Sequence, residues 1–215
     1  MTRAQIDLPK EEIAKFCEKW RICEFSFFGS VLTDDFRPDS DIDVLVAFEE
    51  DSKNTLFDLV HMENELKQIF GREVDLLTRR GVEQSQNYIR RKSILSSLEQ
   101  SISRDMAYLL DILLAAKDAR EFTAGLDKDA FLSDLKCQYA VTYCLEVIGE
   151  AVKRLSDDAQ RKYPDIPWSS IARMCDLLIH AYVRMDLNEV WDTIQHDIPV
   201  LISGLEQIVP PEDEV

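Results

Sequence analysis

Residues 27–46, FFGSVLTDDFRPDSDIDVLV, place two acids where an apolar strand has already begun. Asp41 and Asp43 flank Ile42, and Val44, Leu45 and Val46 follow at once. Alternate side chains of a strand take opposite faces, so Asp41, Asp43 and Leu45 point one way and Ile42, Val44 and Val46 the other. Two carboxylates side by side on one face repel unless something positive lies between them. Oxygen ligands on a rigid element suit Mg2+, which keeps several waters and completes its shell with phosphate oxygens. Alone, a D-x-D at a strand end is more often a solvated turn, so its company decides the reading. Upstream, Gly29-Ser30 follows Phe27-Phe28 and opens a helical turn. A glycine there admits a ligand close to the backbone, and helix-start amides with a seryl hydroxyl can hold phosphate oxygens. Downstream, Glu73-Val-Asp75-Leu-Leu sets a third acid among apolar neighbours. Phosphate clamp, metal site and a carboxylate able to take an acceptor's proton are what nucleotidyl transfer requires.

Outward from this stretch, the chain changes character near residue 100. The runs CEFSFFG, DIDVLVAF and REVDLLT read as strands, with helices expected over 9–20 and 55–69. From Arg104 onward apolar residues recur at helical spacing in four blocks: Tyr108 to Leu113, Phe131 through Leu135 to Leu155, Trp168 to Tyr182, and Leu187 to Ile208. Asp127, Ser169 and Asp186 are the expected N-caps, Tyr163–Pro167 the clearest break, and Pro199 is expected to perturb the last helix. The pattern predicts an α+β chain with one domain over 1–100 and an all-helical one over 101–215. No strong helix breaker lies between Gly81 and Gly125, so a helical connection is expected.

The net charge of the 215-residue chain is −16, a field that repels nucleic acid unless basic groups concentrate locally. Arg79-Arg80 and Arg90-Arg91-Lys92 are such groups, read as solvated helix ends or as a phosphate-tracking patch. The N-terminus lacks the apolar core of a secretory signal, and AYLLDILLAA is interrupted by Asp111 and too short to span a bilayer. Cys17, Cys23, Cys137, Cys144 and Cys175 contain no C-x-x-C pair, which suits reduced thiols in a cytoplasmic protein rather than a disulfide framework or zinc site.

GSVLTDDFRPDSDIDVLV followed by REVDLLT resembles the minimal nucleotidyltransferase domain of the DNA polymerase β superfamily, a small mixed sheet with helices. The resemblance implies that Gly29 and Ser30 bind the triphosphate, that Asp41 and Asp43 bind Mg2+, and that Asp75 is the third metal-site acid or the base. Val31-Leu-Thr-Asp34 stands where many members carry an Arg-Ala-Arg-Gly type stretch, leaving fewer positive groups for the triphosphate.

The helical half resembles a HEPN domain of HEPN–nucleotidyltransferase toxin–antitoxin pairs, on CLEVIGEAVKRLS, IPWSSIARM and LIHAYVRMDLNEVWDTI. That family's ribonuclease motif is an Arg, four to six residues, then His, often continuing into H-x-Y. The resemblance implies His180 as general acid or base and an arginine on the phosphate. By that resemblance most close relatives read Arg-Asn where this chain has Cys175-Asp176. Arg173 meets the spacing instead, two helical turns and about 10 Å before His180. Tyr182 is either an amphipathic core tyrosine or, by the resemblance, the acceptor whose AMP modification silences the ribonuclease. Glu146 and Glu150 face the same cleft or a solvated surface; His61 and His196 have no partner at metal-ligand spacing.

The expected function is Mg2+-dependent transfer of AMP from ATP to a protein tyrosine, in a homodimer formed through the helical domain. RNA is the expected ligand at His180, with no DNA or membrane partner. An aminoglycoside-type transferase and a catalytically inactive nucleotide-binding scaffold are the alternatives.

Overall fold

Apolar runs of the first hundred residues pair as a three-stranded sheet in the computed structural model, which describes residues 8–33, 36–37, 39–95, 104–180 and 186–212. Strands β1 (Ile22–Phe28), β2 (Ile42–Phe48) and β3 (Val74–Thr78) lie in that order. The β1–β2 pairing is antiparallel and the β2–β3 pairing parallel, so the sheet is mixed. A parallel pair needs a crossover, supplied by α2 (Leu56–Phe70). This helix starts on a capping box between Thr55 and Asp58 and stops at Gly71, whose φ of 64° is left-handed.

Helices α1 (Lys10–Trp20) and α2 cover one face of the sheet, where Phe16, Met62 and Leu66 bury Ile42, Val44, Val46, Val74 and Leu76. On the other face Leu45 packs with Val82 of α3 (Arg79–Glu83) and Ile94 of α4 (Tyr88–Leu95). Thus the two sets of β2 residues separate into two clusters, as alternation requires.

The remaining helices are α5 (Arg104–Phe122), α6 (Lys128–Ser133), α7 (Leu135–Lys153), α8 (Asp157–Lys162), α9 (Trp168–His180) and α10 (Leu187–Glu206). Their shared core includes Leu109 and Ile112 of α5, Val141, Leu145 and Ile148 of α7, and Ile194, Ile198 and Leu205 of α10. Two compact units result: Met1–Ser85 with Ile94–Glu99, and Gln86–Ser93 with Gln100–Val215. The division runs through α4, whose Ile89 belongs to the second unit's core.

Three local expectations need correction. The block from Phe131 to Leu155 is two helices, because the Asp134 carboxylate accepts from the amides of Lys136 (3.0 Å) and Cys137 (3.1 Å) and starts a new one. Leu135, expected on the buried face, is consequently 59% exposed. Ser169 lies inside α9 rather than at its cap; the Pro167 carbonyl accepts from the amides of Ser170 (2.9 Å) and Ile171 (3.1 Å). Asp127 and Asp186 do cap α6 and α10, and α10 continues through Pro199. The expected helical connection at 96–103 lies outside the described residues. All five cysteines are free, and among the described residues no helix is long and apolar enough to cross a membrane.

Candidate functional site

One end of the sheet gathers the acids and the glycine turn. Strand β1 finishes where β2 and β3 begin, so Phe28 pairs with Asp43 and Asp43 pairs with Asp75. Register partners on neighbouring strands share a face and lie about 5 Å apart. Asp43 and Asp75 therefore stand side by side on the face of Leu45 and Leu77. Asp43 is buried, 8% exposed, whereas Asp75 and Asp41 are exposed. A carboxylate pair with one member buried and the other open to solvent can hold a cation that also meets a ligand from outside.

Gly29 follows Phe28 directly at a φ of 70°, a left-handed conformation that favours glycine, and opens a 3-10 turn over Gly29–Leu32. The turn is anchored by Val31, which is fully buried, and closed by Thr33, whose amide (2.9 Å) and hydroxyl (3.1 Å) both donate to the Ser30 carbonyl. The sequence-predicted Gly29, Ser30, Asp41, Asp43 and Asp75 thus converge on one sheet end from three separate segments.

Among the described residues, no group of three or more His, Cys, Asp and Glu side chains is placed to hold a metal ion. The donor set is instead the Asp43–Asp75 pair with Asp41 just ahead of β2. All are hard oxygen donors, and Mg2+ is commonly held by one or two carboxylates plus waters and phosphate oxygens. The chemistry of these donors, oxygen only, is the kind that suits that ion.

Sequence reading passed over Arg72. Its Nη1 donates to the carbonyls of Arg37 (3.1 Å) and Ser40 (3.4 Å), in the turn that delivers Asp41. An arginine in a polar stretch carries no local signal of this, because its partners are 32 and 35 residues away. Away from the acids, Arg79 forms a two-pronged ion pair with Glu24, which holds the Glu24 carboxyl below its usual range.

In the second unit, Arg173 is exposed on α9 and His180 is that helix's last residue; Tyr182 lies outside the described residues. Cys175 is fully buried against α7, where a Cβ on Gly149 would come within 2.0 Å of the Cys175 Cβ. Its Sγ lies 3.6 Å from the Glu146 carbonyl and 3.6 Å from Glu150 Oε1. Burial pushes this thiol up, so it is no thiolate nucleophile at neutral pH. Neighbouring Asp176 pairs with Lys153 at 2.7 Å, and Lys153 also holds Glu150 at 2.8 Å. The hydrogen bonds that Lys153 donates to Asp176 and then to Glu150 raise its ammonium above its ordinary value. The patch at Cys175 is therefore a buried thiol beside one cation shared by two carboxylates.

Comparison with known proteins agrees with both halves. A nucleotidyltransferase-domain family model matches residues 10–100, and a ribonuclease HepT-like family model matches residues 112–208. The protein named "Probable ribonuclease HepT" of Thermococcus cleftensis is 45% identical over 101 residues, which span 92% of that protein and 47% of this chain. One named "Putative RNase" of Methanocaldococcus jannaschii is 42% identical over 108 residues, 93% of that protein and 50% of this chain. Another from the same organism, named "Putative protein adenylyltransferase", is 39% identical over 69 residues, 72% of that protein and 32% of this chain. No solved structure matches the chain.

Proposed function

We propose, for a chain that belongs to the nucleotidyltransferase-domain family by its N-terminal half and to the ribonuclease HepT-like family by its C-terminal half, transfer of AMP from ATP to a protein tyrosine. The observation that carries this reading is the in-register pair of Asp43 and Asp75 at the sheet end where the Gly29 turn begins. Asp41, Asp43 and Asp75 would hold Mg2+, which when bound neutralises triphosphate charge. Gly29 and Ser30 offer backbone and hydroxyl donors to phosphate oxygens. The acceptor's phenolic oxygen bonds to the α-phosphorus as the bond to the bridging oxygen breaks, and pyrophosphate leaves. The phenolic proton passes to the Asp75 carboxylate, the more exposed of the register pair. Tyr182 is the proposed acceptor.

The HepT-like half is read as a degenerate ribonuclease. Cys175 occupies the position of the motif arginine without room for a guanidinium, and Asp176 with Glu150 leaves local charge unfavourable to an RNA phosphate. Arg173 would then be the remaining phosphate cation on α9. A second copy is the expected partner, and Leu135, Tyr139 and Tyr143, exposed one turn apart along α7, are the surface assigned to it.

Incubation with ATP and Mg2+ followed by intact mass tests the transfer. An AMP increment that disappears in Tyr182→Phe is expected; its persistence would reassign the acceptor, and its absence from the unaltered protein would sink the reading. RNA cleavage abolished by His180→Ala would overturn the degenerate assignment.

A further inference from the structure

We infer that Arg72 is a positioning residue: it clamps the turn carrying Asp41 to the start of β3 and so sets where that carboxylate stands relative to Asp43 and Asp75. The inference rests on the transferase reading above. Pairing of β2 with β3 fixes Asp43 opposite Asp75, but β2 begins at Ile42, so the ladder does not reach Asp41. Asp41 depends on the turn before it. That turn is built from Arg37 and Ser40: the Ser40 amide donates to the Arg37 carbonyl at 3.1 Å, and the Arg37 amide donates to Ser40 Oγ at 3.0 Å. Both carbonyls, of Arg37 and of Ser40, accept from Arg72 Nη1. The same guanidinium lies 5.0 Å from the ring centre of Phe36, which packs against the sheet core.

Arg72 stands at the opposite corner for local reasons. Gly71 ends α2 in a left-handed conformation and turns the chain toward β3, and Arg72 is the next residue. Beyond it, the Glu73 carbonyl accepts from the Ile42 amide at 2.9 Å, and the Glu73 carboxylate pairs with Lys67 at 2.8 Å. The backbone of Arg72 therefore leads to Asp75, and its side chain holds the turn that ends at Asp41. A planar guanidinium can grip two carbonyls and a ring face at once; a lysine ammonium is a point charge on a freer stem. Groups that orient ligand carboxylates in this way commonly change metal affinity or activity by about 10–100-fold when removed.

The test compares the whole protein with Arg72→Gln and Arg72→Lys. Amide exchange is followed at Arg37, Ser40 and Ile42, Mn2+ binding by electron paramagnetic resonance, and unfolding by circular dichroism. Expected in Arg72→Gln are exchange at those amides and Mn2+ dissociation each raised about tenfold or more, a fall in kcat with little change in KM for ATP, and a nearly unchanged Tm. Arg72→Lys should fall between. Unchanged exchange and Mn2+ affinity in Arg72→Gln would overturn the clamp, as would a loss of protection spread evenly over the sheet. Absence of self-labelling in the unaltered protein would instead sink the transferase reading, while the exchange and Mn2+ comparison still decides the role of Arg72.

Discussion

Gly149 has no side chain because Cys175 fills the space one would need. A Cβ there would meet the Cys175 Cβ at 2.0 Å and its Sγ at 2.8 Å. Gly149→Ala should therefore destabilise the helical unit by about 1–3 kcal/mol or more, read by urea unfolding. Cys175→Ala keeps the clashing Cβ and should not rescue it, whereas Cys175→Gly should, a non-additive cycle diagnostic of direct contact. A second residue-scale expectation concerns pH. Burial pushes the Cys144 thiol up to about 11. An unfolded thiol ionises near pH 8.5, so the stability gained by keeping Cys144 neutral is complete below about that pH and is lost as pH rises through about 11. Thermal unfolding between those values should show a fall in Tm that is shallower in Cys144→Ala. At the candidate site, Asp43→Asn should cut self-labelling by about 100-fold or more while the far-ultraviolet spectrum stays unchanged.

At the scale of elements, caps decide boundaries that hydrophobic periodicity blurs. The Thr55–Asp58 box starts α2, the helix that returns the chain for β3, so Thr55→Ala should cost about 1 kcal/mol in chemical denaturation. The sequence pattern placed β1, β2, β3, α1 and α2 within a residue or two, because alternation and capping are local. It merged α6 with α7 because apolar residues continue at helical spacing across Asp134, and spacing alone does not reveal that an aspartate mid-pattern caps a new helix. The short α3 and α4 were legible only as basic runs. Their apolar contributions, Val82, Ile89 and Ile94, are too few to set a period, and contacts distant in sequence bury them.

For the whole molecule, the division into two units is not a single cut in the chain. Within the second unit, Ile89 is fully buried, Arg90 pairs with Asp111 at 2.7 Å, Arg91 pairs with Glu212 at 2.8 Å, and the Tyr88 hydroxyl donates to the Pro210 carbonyl. A fragment of residues 86–215 should accordingly be more stable than one of residues 101–215, by about 2 kcal/mol or more from the burial of Ile89 alone. Comparing their thermal and urea unfolding checks this. Equal stability would mean that α4 adds nothing to the helical core.

By itself the sequence determined the chemistry on offer at the candidate site. Acids at a strand mouth, a glycine before a turn and a third acid on a later strand are short-range patterns whose meaning follows from strand geometry and carboxylate charge. Tertiary structure decided what those groups meet. The register that sets Asp43 against Asp75, the reach of Arg72 to the turn before Asp41, and the seating of Cys175 on Gly149 all join residues at least 26 positions apart. Such contacts are chosen by which faces pack together, and packing depends on the whole core rather than on any one stretch of chain.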